Sequence, residues 1–153
     1  MSGRSKRPSG SDEGRQGHTV PATYVVKPIG FVRSSLKRPE DAPKQGEEGA
    51  PDAWVEVAAD VAGGLEGIAA GQDIVLITWL HQARRDVLKV HPRGDASVPL
   101  AGVYATRSPA RPNPLGLHRV RVLAVAANEL RVGPLEAVDG TPVVDIKPVL
   151  SSD

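Results

Sequence analysis

Arginine, asparagine and proline crowd into one short string, RSPARPNPLGL at residues 107–117, and the chemistry of the chain is sought there first. Arg107 and Arg111 carry permanent forked cations that suit carboxylates and phosphates, and Asn113 adds an amide that donates and accepts. Pro109, Pro112 and Pro114 each lock φ and bias the preceding residue towards extended geometry, and Gly116 is read as the point where the chain is released. Such a stiff segment holds polar groups in fixed directions with little entropy left to lose on binding. Two plainer readings compete: an ordinary surface loop, and a PxxP ligand running from Pro109 to Pro112 for a partner's aromatic groove. Apolar strands are expected on both sides of the string, which counts against the second.

The string lies within a basic block. Between Trp79 and Arg121 stand Arg84, Arg85, Lys89, Arg93, Arg107, Arg111, Arg119 and Arg121 against only Asp86 and Asp95, in a chain whose net charge is +1. A solvated, salt-bridged face explains scattered charge of this kind; a footprint for an anionic partner such as RNA explains charge that coincides with a rigid loop. On the second reading Arg93, Arg111 and Asn113 are candidate substrate contacts.

Absences narrow the chemistry. With no cysteine, disulfides, thiolate metal sites and cysteine nucleophiles are excluded. No GxGxxG or GxxxxGK[ST] string offers a phosphate cradle, and no GxSxG offers a nucleophile elbow. His81, His91 and His118 show no ligand spacing, so no metal site is expected. No apolar run approaches a membrane span and the N-terminus lacks a signal-peptide core, so a cytoplasmic protein is expected.

The elements that must position these residues are short strands. Gly 16 and Pro 14 in 153 residues argue against long helices, and aromatics at 3% leave the core to Val, Leu, Ile and Ala. Residues 1–22 hold few large apolar side chains and are expected to be a disordered tail, with residues 23–153 forming one domain. Strands are expected at residues 25–33, 54–57, 73–80, 102–106, 117–126, 129–132 and 142–147. A helical turn is expected in residues 60–68, a helix or loop at 82–90, a turn at 91–95, a hairpin turn at Ala127-Asn128 and another turn at Asp139-Gly140. On residue type Leu117 reads as core and His81 as a structural histidine. The fold class is mainly β: a small closed or partly open barrel with short helical turns.

The strings GVYATRSPARPNPLGLHRV and, about twenty residues on, VDGTPVVDIKPVL together resemble the TsaA-like family, over residues 24–151. The resemblance implies a β-barrel that binds S-adenosylmethionine (SAM), unrelated to Rossmann methyltransferases and usually homodimeric. It implies N6-methylation of N6-threonylcarbamoyladenosine at tRNA position 37. SAM contacts carried over from matching positions are Pro43, Lys44 and Gln45; His81 and Gln82; Arg107; Leu117; and the cluster Val138, Asp139, Gly140, Thr141 and Pro142. Lys44 departs from the family's arginine and would lose bidentate geometry. Arg107 is expected to grip the SAM carboxylate or a substrate phosphate, the turn at 139–142 to offer backbone groups to adenine or ribose, and His81 to accept the substrate's proton. Longer family members carry a further C-terminal domain, so tRNA would be recruited here by the basic middle, the tail or a dimer partner. Two alternatives stand: methylation of a different substrate, and a SAM- or RNA-binding module without catalysis.

Overall fold

Period-two alternation of β-branched residues curls this chain into a closed barrel. In the computed structural model, which describes residues 22–151, the barrel strands are β1 (Gly30–Arg33), β2 (Ala53–Val57), β3 (Asp73–Trp79), β6 (Leu115–Ala126), β7 (Glu129–Gly133) and β8 (Pro142–Pro148). They close in the order β1-β2-β7-β6-β3-β8, every neighbour antiparallel. β4 (Lys89–Val90) and β5 (Ala101–Gly102) form a separate two-stranded ribbon.

Alternation decides which side chains fill the barrel. Along β3, Ile74, Leu76 and Thr78 are buried, while Val75, Ile77 and Trp79 are only partly covered. Val55, Leu76, Val122, Leu130, Val132 and Val143 form the centre of an aliphatic core, as the scarcity of aromatics requires. The two tryptophans serve the surface instead, with Arg33 over the Trp54 ring and Arg85 over that of Trp79.

The expected elements hold with four corrections. Pairing of the first strand begins only where the Ile29 N–H reaches the Val143 carbonyl at 2.8 Å; Val25 and Val26 are exposed. Pro28, without a donor, stands just before that point. Of residues 102–106 only Gly102 is in a strand: a 3-10 turn at Val103–Ala105 closes through the Thr106 N–H on the Val103 carbonyl, with Val103 buried beneath. Leu117 is not core, because parity along β6 turns it outward, 51% exposed. Gly116 does not release the loop; it lies buried in β6, where an added Cβ would come within 2.6 Å of Thr78 Oγ1 and 2.7 Å of His118 Nε2. Residues 82–90 resolve into turns and the short β4 rather than a helix. The hairpin at Ala127-Asn128 is present, with Ala127 at φ 53° as a tight turn between twisted strands demands. The tail reading, residues 1–22, lies outside the described residues except at Ala22.

Antiparallel closure sends alternate connections to opposite ends. The β1–β2, β3–β6 and β7–β8 connections, residues 34–52, 80–114 and 134–141, therefore all leave the same end. No helix among the described residues is long and apolar enough to cross a membrane.

Leu130 is fully buried at the centre of this core. Leu130→Ala should destabilise the barrel by about 2–5 kcal/mol in urea unfolding. Leu123→Ala, on the exposed face of β6, should cost within about 0.5 kcal/mol.

Candidate active site

The three long connections enclose an open cleft of about 1820 Å³ above the end of the barrel. A drug-sized ligand occupies roughly 300–1,000 Å³, so there is room for more than one small molecule. Pro43, Lys44 and Gln45 line it from the first connection. His81, Gln82, Arg93, Arg107, Arg111 and Asn113 line it from the second, Leu117 from the start of β6, and Val138 and Thr141 from the third. Twelve of the fifteen anticipated residues thus line one cleft; Asp139, Gly140 and Pro142 do not.

Those three shape the wall rather than face it. Asp139 Oδ1 accepts the Ser34 N–H at 2.9 Å and its other oxygen pairs with Lys37 at 3.2 Å. Gly140 takes φ 82°, left-handed geometry that a glycine adopts without strain, and its N–H bonds the Val32 carbonyl. Pro142 opens β8 opposite Phe31. The Thr141 hydroxyl turns back on the Val138 carbonyl at 2.6 Å, closing the turn.

Arginines lace the second connection from within. Arg111 donates through Nη1 to the Thr106 and Ser108 carbonyls at 3.1 and 2.9 Å, and through Nη2 to the Val103 carbonyl at 2.8 Å. Arg85, stacked on Trp79, donates to the Pro112 carbonyl at 2.7 Å and to Asn113 Oδ1 at 3.1 Å. The proline string is therefore held by side chains as well as by its own φ restrictions. The cost falls on Arg111, whose two terminal nitrogens are occupied within the loop.

The first and second connections are also tied. Lys44 donates to the Arg93 carbonyl at 2.6 Å, and Arg93 pairs with Glu48 at 2.6 Å, a hydrogen bond that holds the Glu48 carboxyl below its ordinary value. Much of the basic block is neutralised in this way. Arg84 pairs with Asp86, and Arg119 and Arg121 share Asp73. Lys89 and Arg107 line the cleft with no partner for their head groups among the described residues. His81 and Gln82 are exposed and equally without side-chain partners there.

The upper layer of the barrel interior is polar. Thr78 and His118 point inward from paired strands, and Thr78 Oγ1 lies 2.6 Å from His118 Nε2. The other ring nitrogen, Nδ1, lies 2.5 Å from Glu136 Oε1. Gly116, beside both, is the glycine that this close approach requires. His118 and Glu136 line the cleft floor, and neither was singled out from the sequence. The signal for His118 was its parity with Val120 and Val122 along β6; Glu136 had none, because its partner belongs to a strand folded back against it. Gly46 presses on the same carboxylate, where an added Cβ would lie 3.0 Å from Glu136 Oε2. Among the described residues no group of three or more His, Asp or Glu side chains gathers as metal ligands.

Comparison with known proteins gives one consistent answer. The model of the tRNA-methyltransferase O N-terminal domain matches residues 31–152. The S-adenosyl-L-methionine-binding protein of Archaeoglobus fulgidus is 42% identical over 123 residues, covering 80% of this chain and 87% of its own. A probable S-adenosyl-L-methionine-binding protein of Methanothermobacter thermautotrophicus is 42% identical over 123 residues, covering 80% and 88%. The crystal structure of TrmO from Pseudomonas aeruginosa superposes with a TM-score of 0.68 at 31% identity, covering 85% of this chain. The chain spans 57% of the length of that solved protein.

Two consequences can be measured. Gly116→Ala should force Thr78 and His118 apart and lower the melting temperature by several degrees, a core overpacking effect of about 1–3 kcal/mol. The Ser34 N–H, aided by Lys37 and Arg33, outweighs desolvation and holds the Asp139 carboxyl below its ordinary value of 3.8. A depressed folded-state value gives stability that is present above the unfolded value and lost as pH falls through the folded one. Asp139→Asn should therefore melt lower than wild type near neutrality, with the difference closing in the window below pH 3.8 when melting is followed against pH.

Proposed function

The chain belongs to the tRNA-methyltransferase O N-terminal domain family, and on that premise we propose that it is a SAM-dependent methyltransferase acting on tRNA. The proposed reaction is methylation at N6 of N6-threonylcarbamoyladenosine at position 37. The observation that carries this reading is convergence: three connections far apart in sequence bring the anticipated cofactor and substrate residues to one cleft.

The donor set fits such a cofactor. Pro43, Leu117 and Val138 offer apolar surface to the faces of an adenine, and the Gln45 and Gln82 amides offer donors and acceptors to a ribose or base edge. Arg107, its guanidinium free of other described residues, suits a carboxylate. Behind the wall, Asp139, Gly140 and Pro142 fix the turn that carries Val138 and Thr141. SAM bound here supplies an electrophilic methyl group on its sulfonium. The protein's part is positioning and electrostatics. Arg93, Lys89 and Asn113 face an anionic substrate across the same cleft; Arg111 contributes its positive charge and the shape of the loop it holds. His81 joins the cofactor wall, and its exposed, unpartnered ring has no fixed direction in which to take a proton.

We further propose a cytoplasmic homodimer. Leu88, Leu100, Tyr104 and Leu115 are each exposed in the second connection and at the start of β6, the last three at the cleft, and they offer apolar surface to a second copy. A second reading, a SAM-binding module without turnover, is favoured by the archaeal relatives' names, which state binding alone.

SAM at a hundred times its Kd should stabilise the protein by about 2.7 kcal/mol in thermal melting, and no shift at millimolar SAM removes both readings. Mass spectrometry of tRNA nucleosides from cells lacking the protein separates them. Loss of the N6-methylated threonylcarbamoyladenosine is expected; its persistence at wild-type level leaves the binding module or a methyltransferase for a different substrate.

A further inference from the structure

A hydroxyl, an imidazole and a carboxylate in line make an arrangement known from hydrolases, but its burial here runs the opposite way. In a hydrolase the hydroxyl stands at the open end. Here Thr78 is 0% exposed, His118 5% and the Glu136 side chain 16%, so the carboxylate is the end that meets the cleft. We propose that Glu136 is the proton acceptor of the methyl transfer and that His118 and Thr78 are the positioning residues that hold it. This rests on the methyl-transfer reading above and names the base that the reading leaves open.

The geometry assigns each atom a task. His118 Nδ1–H donates to Glu136 Oε1 at 2.5 Å, and the Thr78 hydroxyl at 2.6 Å from Nε2 sets which ring nitrogen carries the proton in the neutral ring. Oε2 has no hydrogen-bond partner among the described residues and lies against Gly46, next to the triplet assigned to the cofactor. Val138, also on the wall, follows two residues after Glu136. Glu136 is a carboxylate in a cleft that Lys44, Lys89, Arg93 and Arg107 also line, and its own complement is a donor, an N–H.

The chemistry requires such a group. A nitrogen conjugated to a carbonyl has little free electron pair, so its proton must leave as it attacks. The nitrogen's pair forms the new N–C bond, the C–S bond breaks with its pair passing to sulfur, and the N–H proton moves to Glu136 Oε2. The sulfonium becomes a neutral thioether and the carboxylate a neutral acid, so charge balances, and the open cleft returns the proton to water. His81, exposed and unheld, offers no such fixed acceptor.

The test uses the full-length protein, SAM and tRNA bearing N6-threonylcarbamoyladenosine. Glu136→Gln should keep its melting temperature and bind SAM within about threefold of wild type by calorimetry, while the single-turnover rate at saturating SAM falls at least about a hundredfold. Glu136→Asp, which keeps the charge but withdraws the oxygen, should bind SAM and recover only part of the rate, and it serves if the glutamine variant fails to fold. Nitrogen-15 NMR should show a far-downfield His118 Nδ1 proton that disappears in Glu136→Gln. A parallel fall in SAM affinity would make Glu136 a cofactor contact and overturn the assignment. So would an unchanged rate, or a rate lost in His81→Ala and kept in Glu136→Gln. Wild-type protein that binds SAM but methylates no tRNA nucleoside overturns the function reading itself, a signature distinct from failure of the variant alone.

Discussion

In a closed antiparallel barrel a chain that rises along one strand must descend along its neighbour, so its connections alternate between the two ends. Here that constraint collects three connections above one rim and leaves the 58–72 connection and the tight Ala127-Asn128 turn at the other. Every feature of the cleft depends on it. The strands supply most of the aliphatic frame, with Leu135 and Ala137 added from the third connection, and the connections also carry arginines, amides and prolines to the cleft. The two regions touch where the interior turns polar, at Thr78, Gly116 and His118.

Much of this was legible in the residues. The apolar run DIVLITW reported the central strand, and alternation at residues 54–57 reported another, because one buried face imposes a period of two. The proline string identified a rigid segment correctly, though only part of its rigidity is its own: Arg111 and Arg85 hold it from positions that read as ligand contacts or bare charge. Short elements were less legible. Residues 102–106 have strand composition, yet Val103 gains more by burying itself in a 3-10 turn than by extending. Leu117 has the composition of core and the parity of surface, and parity prevailed. Glu136 was invisible, since a contact between a strand and a loop folded back over it leaves no periodic trace.

Charge follows the same division. The basic block read either as a salt-bridged face or as a footprint for an anionic partner, and it divides between the two: Asp73, Asp86 and Glu48 draw off four of its eight members. What remains is concentrated at the cleft, where Lys89 and Arg107 keep open valences. Exposed ion pairs of the first kind contribute little stability. Their effect is to confine the positive field to the place where an anionic ligand would enter.

The lacing of the second connection bears on how such a site changes over time. Arg111 binds the carbonyls of Val103, Thr106 and Ser108, groups that every residue possesses. The fold of that segment is therefore written in one guanidinium rather than in the residues it grips. Those positions can change chemical type and redecorate the cleft while the path of the backbone stays the same, provided the arginine remains.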